Sequence, residues 1–362
     1  MYHTVLRPLL FLLPAPVAHD LAFAAMTPLE LLAPLRAVVR AACAPDPRLA
    51  VHVMGLRFPS PLGLAAGFDK NARSPRALAA LGFGHLELGT ITALPQEANP
   101  APNLFRLPVD RALINRLGFP NEGAARVAAR LHAKGSAGVP LGISIGKSRA
   151  VPVLPIEGSV ADYLESFRAA RRVADFVVVN VSSPNTKDLR AMQQGELART
   201  LLGALAKENE VLGRKPLLVK IAPDLDDAAL EDLLAVVEAL GLDGVVAANT
   251  TTAREGLATS AAKVGALGAG GLSGPPLRAR AVALVRRVRA RLGPAATVVG
   301  VGGVECGEHA MALLRAGANL VQMYTGLIYG GPFAARRIAR ELAVEVEREG
   351  AASIGELTAA AW

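Results

Sequence analysis

Eight short apolar runs divide most of this chain, and each stops on glycine or small polar residues before an Ala-, Leu- and Arg-rich segment begins. They are "LGLAAG" at 62, "HLELGT" at 85, "LGISIG" at 141, "FVVVNVSS" at 176, "LLVKIAPD" at 217, "GVVAANTT" at 244, "TVVGVGGV" at 297 and "LVQMYTG" at 320. Their apolar residues are continuous rather than alternating, which describes parallel strands buried on both faces and covered by the helices between them. Eight such units in roughly 280 residues predict a (β/α)₈ barrel rather than an open doubly wound sheet. The intervening segments agree. "DLDDAALEDLLAVVEALG" (224–241) opens with acids, repeats Leu and Val at helical spacing and stops at Gly241, and "PPLRARAVALVRRVRARLG" (275–293) has the same form. The intervals after the second and sixth runs are long, which predicts insertions over the barrel mouth.

Residues 1–45 contain no such run. Val5, Leu6, Leu9, Leu10 and Leu13 recur at helical spacing, and Thr27-Pro28-Leu29-Glu30 reads as a capping box opening a second helix. That helix would carry Leu31, Leu32, Leu35, Val38 and Val39 on one face, with Pro34 kinking or shortening it. The chain is therefore divided into a helical unit, 1–45, and a barrel, 46–362. The unit is either a cap packed on the barrel or an amphipathic patch lying on a membrane surface.

Composition narrows the function classes. The formal charge of +8 admits nucleic acid, an anionic membrane or an acidic small substrate, or reflects only a composition rich in Arg. No run of five Lys or Arg is present, which argues against a nucleic-acid tail. The most apolar N-terminal stretch, "PLLFLLPAPVA", is broken by Pro14 and Pro16 and is too short for a bilayer span, and it lacks the features of a signal peptide. Cys43 and Cys306 offer neither a disulfide framework nor metal-ligand spacing, so a reducing compartment is expected. No His pair at ligand spacing and no carboxylate cluster is present, and no metal is expected.

Barrel enzymes place their chemistry at the C-terminal ends of the strands. Here those ends carry Gly67-Phe68-Asp69-Lys70, Gly89-Thr90, Gly146-Lys147, "NVSSPNT" (180–186), Lys220, Asn249-Thr250-Thr251, Gly302-Gly303 and Tyr324-Thr325-Gly326. Glycines ending strands seven and eight are the usual barrel cradle for a phosphate, or simply a tight turn. Lys220 interrupts an apolar run. An unpaired buried ammonium is very costly, so it faces an anion, a ring that gains negative charge on reduction, or a carboxylate on a neighbouring strand. Lys70 poses the same question, with adjacent Asp69 as one answer. Asn115, Asn180, Asn185 and Asn249 place four amides at the mouth, and amides both donate and accept, as reading the edge of a carbonyl-bearing ring requires. Ser183 lacks the context of an acyl-transfer nucleophile. Such a mouth, with a phosphate cradle, points to a phosphate-bearing cofactor doing the hard chemistry.

In order along the chain, "LGLAAGFDK", "ELGT", "INRLGF", "NVSSPNT", "VKIAPDL", "NTT", "GGLSG", "GVGG" and "VQMYTG" resemble the class 2 dihydroorotate dehydrogenases, the membrane-associated, quinone-linked group. The resemblance covers nearly the whole chain, including the helices that begin "MYHTVLRPLLF". It implies an FMN oxidoreductase of pyrimidine synthesis that oxidises (S)-dihydroorotate to orotate and passes the electrons to a membrane quinone. It also implies peripheral attachment to the cytoplasmic face of a bacterial inner membrane, and no nucleic-acid partner. By the same resemblance Ser183 is the base that takes the C5 proton while hydride leaves C6. Substrate would be held by Lys70, the stretch Asn115, Arg116, Leu117, Gly118 and Phe119, and by Asn180, Asn185, Asn249 and Thr250. FMN would be lined by Ala66, Gly67, Phe68, Asp69 and Lys70, then by Thr90, Ser144, Asn180 and Lys220. Ala248, Gly274, Gly303, Tyr324 and Thr325 would complete its site. Quinone would meet His19, Arg106 and Tyr324.

Two positions depart from the pattern. Ser144 stands where the family usually writes Asn, and Ala248 where Thr is common; both bear on cofactor affinity rather than on the proposed base. Two rivals remain at this point. One is another FMN barrel acting on tRNA, which Ser183 in place of a catalytic Cys opposes. The other is a phosphate-binding barrel without flavin.

Overall fold

In the computed structural model, which describes residues 2–359, the eight apolar runs are parallel strands that close on themselves. A hairpin, β1 (Val51–Val53) and β2 (Leu56–Phe58), precedes the first two barrel strands, β3 (Leu62–Leu64) and β4 (His85–Ile91). An excursion, β5 (Leu104–Leu107) and β6 (Ala112–Asn115), leads to β7 (Leu141–Ile145), β8 (Phe176–Asn180), β9 (Leu217–Ile221) and β10 (Gly244–Ala247). After a second excursion, β11 (Gly271–Ser273), the barrel ends with β12 (Thr297–Val301) and β13 (Leu320–Met323). Closure is made by β13 pairing with β3, Gln322 opposite Gly63.

The continuous apolar runs are explained by where alternate residues go. Val177, Val179, Leu217 and Val219 join the core between sheet and helices. Phe176, Val178, Leu218, Val246 and Val299 form a separate core inside the barrel. Glycine makes room for the largest rings of the bottom layer: a Cβ on Gly63 would lie 2.2 Å from His85 Nε2, and one on Gly142 would lie 2.2 Å from Phe176 Cε2. The hairpin plugs that end, with Phe58 edge-on to His85 at a ring separation of 5.5 Å.

The expected helix at 224–241 runs Asp227–Ala239, with the Asp226 carboxylate accepting from Ala229 N–H at 2.8 Å. The one expected at 275–293 is a 3₁₀ turn, Pro275–Leu277, followed by Arg278–Leu292 and closed by Gly293 at φ +69°. The long intervals after runs two and six pair with each other as an antiparallel sheet, in the order β11-β6-β5.

The N-terminal region corrects one expectation. A π-helical turn, Tyr2–Leu6, precedes α1 (Arg7–Leu12), α2 (Ala15–Leu31) and α3 (Ala33–Cys43). Thr27-Pro28-Leu29-Glu30 therefore opens no helix but lies inside α2. Thr27 Oγ1 donates to the Phe23 carbonyl at 3.1 Å. Glu30, instead of reaching back as a capping-box partner, is buried against the barrel, accepting from Ala77 N–H at 2.9 Å and paired with Lys134 at 2.8 Å. The break comes at Leu32 because Pro34 has no N–H for the Glu30 carbonyl four residues back. Arg36 Nη1 donates to that carbonyl instead, at 2.7 Å.

The helices dock on the barrel through Phe23, which is 2% exposed, a burial worth about 1.5–3 kcal/mol. Tyr2 Oη donates to the Ile328 carbonyl at 2.6 Å, and Arg40 Nη2 to the Ala137 carbonyl at 2.9 Å. Their other face is apolar and open: of seventeen exposed large apolar side chains among the described residues, ten lie between Val5 and Val38. No single helix among the described residues is long and apolar enough to cross a bilayer, and α2 and α3 bend by 103° at their junction.

Candidate active site

The strand ends surround one cavity of about 1030 Å³, open mouth included. Lys70 and Thr90 come from the first two barrel strands, Asn180, Ser183 and Asn185 from the loop after β8, and Lys220 from β9. Ala248, Asn249 and Thr250 follow β10, and Gly302, Gly303, Tyr324 and Thr325 complete the rim. The excursion sheet covers it with Asn115 and Ser273, and Leu117, Gly118 and Phe119 form the adjoining wall.

The four amides are linked in two pairs. Asn185 Nδ2 donates to Asn115 Oδ1 at 3.0 Å. Asn249 Nδ2 donates to Asn180 Oδ1 at 3.3 Å and to Ser182 Oγ at 2.9 Å. Asn180 Nδ2 in turn donates to Thr90 Oγ1 at 2.9 Å, while its backbone carbonyl accepts from the buried Tyr163 hydroxyl at 2.9 Å. Ser183 is 4% exposed within this frame. Its Oγ accepts from Asn185 N–H at 3.2 Å, which fixes the hydroxyl in a tight side-chain turn beneath the mouth.

Two lysines face the cavity. Lys70 Nζ donates to the Gly67 carbonyl at 2.6 Å, and burial lowers its pKa to about 8 against the opposing pull of Asp69. Asp69 makes no ion pair with Lys70: its carboxylate accepts from the N–H groups of Arg73 and Ser74, both at 2.8 Å, and tightens the loop. Lys220 lines the cavity and is paired, not with a neighbouring strand, but with Glu87 of β4 across the lumen, Nζ to Oε1 at 3.1 Å.

Several expected contacts lie elsewhere. Ser144 is fully buried behind Thr90, its Oγ 2.9 Å from Thr90 Oγ1, and is outside the lining. Arg116 turns away, donating to the carbonyls of Pro102, Leu267 and Ala269. Phe68 packs between His19, Phe23 and Tyr324 rather than against the cavity. His19 and Arg106 lie between the N-terminal helices and the barrel. His19 Nε2 is 2.9 Å from the Phe68 carbonyl, and Arg106 stacks on Phe11 and donates to the Leu13 carbonyl at 2.7 Å. Burial lowers the pKa of both. Tyr324 joins the two regions: it lines the cavity and touches Phe68, and burial pushes its phenol up to about 12. The sequence reading missed Glu87, Gln322, Ser273 and Tyr163; a charged or amide residue inside an apolar strand, as in "HLELGT" and "LVQMYTG", was the available signal for the first two.

The lining fits FMN at both ends. Gly274 and Gly303 hold φ of +104° and +70°, and a Cβ on Gly303 would lie 2.8 Å from Arg278 Cβ. Glycine backbone beside the Ser273 and Thr325 hydroxyls, which are 2.8 Å apart, would suit a phosphate. Gln322 Oε1, buried without a partner among the described residues, lines the same cavity as Lys220, Asn180 and Thr90, a donor and acceptor set for a ring bearing carbonyls and N–H groups.

Comparison with known proteins agrees. Residues 48–346 match the family model described as dihydroorotate dehydrogenase. Proteins named dihydroorotate dehydrogenase (quinone) from Thermobifida fusca and Rhodococcus opacus are each 49% identical, over 98% and 99% of this chain and 94% and 99% of theirs. The crystal structure of the Eimeria tenella enzyme in complex with ferulenol superimposes with a TM-score of 0.83 at 36% identity, covering 94% of this chain and 93% of that one. A barrel whose strand ends carry this serine, these amides and this lysine, and whose relatives align from end to end, belongs to the dihydroorotate dehydrogenase family.

Proposed function

We propose that the chain oxidises dihydroorotate to orotate, using FMN and passing the electrons to a membrane quinone. The observation that carries this is Ser183 held in one cavity with Asn115, Asn180, Asn185, Asn249 and two lysines. FMN, when bound, supplies a two-electron acceptor. Gly274, Gly303, Ser273 and Thr325 would hold its phosphate, and Lys220, Thr90, Asn180 and Gln322 its ring.

The protein's own part is binding, orientation and proton removal. Asn115, Asn185, Asn249 and Thr250 present paired donors and acceptors to a cyclic imide, and Lys70 supplies the charge that a carboxylate substrate requires. Ser183 Oγ takes the proton from the substrate carbon. A hydroxyl is a weak base, so its strength here must come from geometry and exclusion of water. The cavity roof formed by β6 and β11 provides that exclusion.

The quinone assignment rests on the open apolar face of α1 to α3, with His19, Phe68 and Tyr324 in contact from α2 to the cavity wall. We place the protein on a membrane surface by that face, at the cytoplasmic side of a bacterial inner membrane. The experiment is anaerobic: dihydroorotate should bleach the visible flavin band, and a ubiquinone analogue, but not fumarate or NAD⁺, should restore it quickly. Recovery with fumarate or NAD⁺ would overturn the quinone assignment, and a band that never bleaches would overturn the substrate.

A further inference from the structure

Glu87 and Lys220 face each other across the barrel lumen. Their strands, β4 and β9, are separated by β7 and β8, so the pair spans the interior rather than joining neighbours. The side chains are 0% and 5% exposed. Lys220 reaches the cavity, whereas Glu87 is not among the residues that line it and sits behind. The lumen carries the apolar Val178, Leu218, Val246 and Val299, and Asn180, which is paired with Lys220 in register, is polar but uncharged. Gln322 is uncharged, and burial lowers His85 to a pKa of about 3, which leaves its ring neutral at working pH. Among the described residues, Glu87 and Lys220 are thus the two charges in this part of the lumen. Glu87 Oε2 has no hydrogen-bond partner among the described residues, so the carboxylate is turned toward the lysine alone.

The cavity floor therefore presents the positive end of a short dipole, not a full unit charge. In a water-poor interior the Coulomb energy at a given separation is several-fold larger than in water, so cancelling or exposing one charge of the pair is felt by any ring resting on Lys220. We propose that Glu87 is a positioning residue that sets the reduction potential of the cavity's flavin, by holding the Lys220 ammonium at the floor and cancelling part of its charge. This rests on the FMN reading of the cavity. A ring that gains negative charge on reduction is stabilised by Lys220 and opposed by Glu87. Neutralising the carboxylate raises the potential, and neutralising the ammonium lowers it.

The test is redox titration of the bound flavin against reference dyes in the purified full-length protein, for the wild type, Glu87→Gln, Lys220→Met and the double variant. The expected order is Glu87→Gln above wild type above Lys220→Met. Each single change should shift the reduction equilibrium at least tenfold, about 30 mV for a two-electron couple, and the double variant should lie between the singles. A residue that only packs the barrel would change stability or flavin affinity without opposite shifts of this kind. If Glu87→Gln does not retain flavin, Glu87→Asp, which keeps the charge but withdraws it by one methylene, should shift the potential upward by a smaller amount. An unchanged or lowered potential in the Glu87 variant that retains flavin overturns the inference while leaving the cofactor in place. A wild-type preparation that takes up no flavin overturns the cofactor reading itself, and the inference with it.

Discussion

Arg190 donates from Nε to the carbonyl oxygen of Ser182 at 3.1 Å, one residue before the proposed base. The same guanidinium donates to the Thr250 carbonyl at 3.0 Å and pairs with Asp224 at 2.9 Å. One side chain thereby ties together the loops after β8, β9 and β10. Asp224 also pairs with Arg280 at 2.9 Å; the Thr251 hydroxyl, the Thr252 N–H at 2.9 Å and Arg190 keep its pKa below the usual carboxylate range despite burial. Arg190→Met should leave flavin bound and lower kcat roughly 10- to 100-fold, the scale of one charge-assisted hydrogen bond's worth of lost positioning. Arg190→Lys should recover only part of this, since an ammonium cannot reproduce the fork. Stopped-flow flavin reduction is the measurement. A normal rate in Arg190→Met would mean that Ser183 is placed without the clasp.

Ser183→Ala removes the one hydroxyl that both faces the cavity and is fixed by Asn185 N–H. Flavin content should not change, because the position sits at the amide-lined end. Reduction by dihydroorotate should slow by roughly 10²–10⁴, the usual contribution of a positioned acid or base. Unchanged reduction would remove Ser183 from the mechanism.

Lys70 gives a pH dependence whose sign follows from its burial. With a pKa near 8 it is charged below that pH and neutral above it. Binding of the carboxylate product orotate, followed by its perturbation of the flavin spectrum, should therefore be strong below about pH 8. It should weaken about tenfold per pH unit above the pKa of the free protein, since one proton is linked to binding. In Lys70→Gln the affinity should be low and the slope absent. A slope that persists in the variant would assign it to another group.

How much of this was legible in the sequence depends on the range of the interaction that decides each feature. The strands were legible because "FVVVN" and "TVVGV" state burial on both faces within five residues. That Asn180, Ser183 and Lys220 would line the cavity was legible from their places at apolar strand ends, although any one Asn alone reads as a turn residue. Thr27–Glu30 was misread because its spacing is a local signal, and the partners that claim Glu30, Ala77 and Lys134, lie 47 and 104 residues away. Arg190 left no signal: its acceptors at Ser182 and Thr250 are backbone carbonyls, which any residue carries. Ser144 left no signal of its outcome: its short side chain is fully buried against Thr90 Oγ1, 2.9 Å away on a neighbouring strand, a partner 54 residues distant in sequence.

The Glu30 pair also yields a prediction that separates the N-terminal helices from the barrel. Glu30 is 4% exposed and its partner Lys134 20% exposed. The carboxylate also satisfies Ala77 N–H in the Pro75–Ala80 helix. Removing Glu30 costs less than the about 3–5 kcal/mol of a fully buried pair, because the Lys134 left behind is 20% exposed and can turn to solvent. The pair lies between α2 and the outer helices rather than at the cavity, so the loss should fall on docking of residues 2–43. Glu30→Ala should therefore gain hydrogen-exchange and protease sensitivity confined to α2 and α3. It should retain flavin and its bleaching by dihydroorotate, and lose reoxidation by a ubiquinone analogue several-fold. Loss of flavin together with the helices would show that the barrel needs them to fold. Unchanged reoxidation with the helices undocked would mean that quinone reaches the flavin by a route other than past His19, Phe68 and Tyr324.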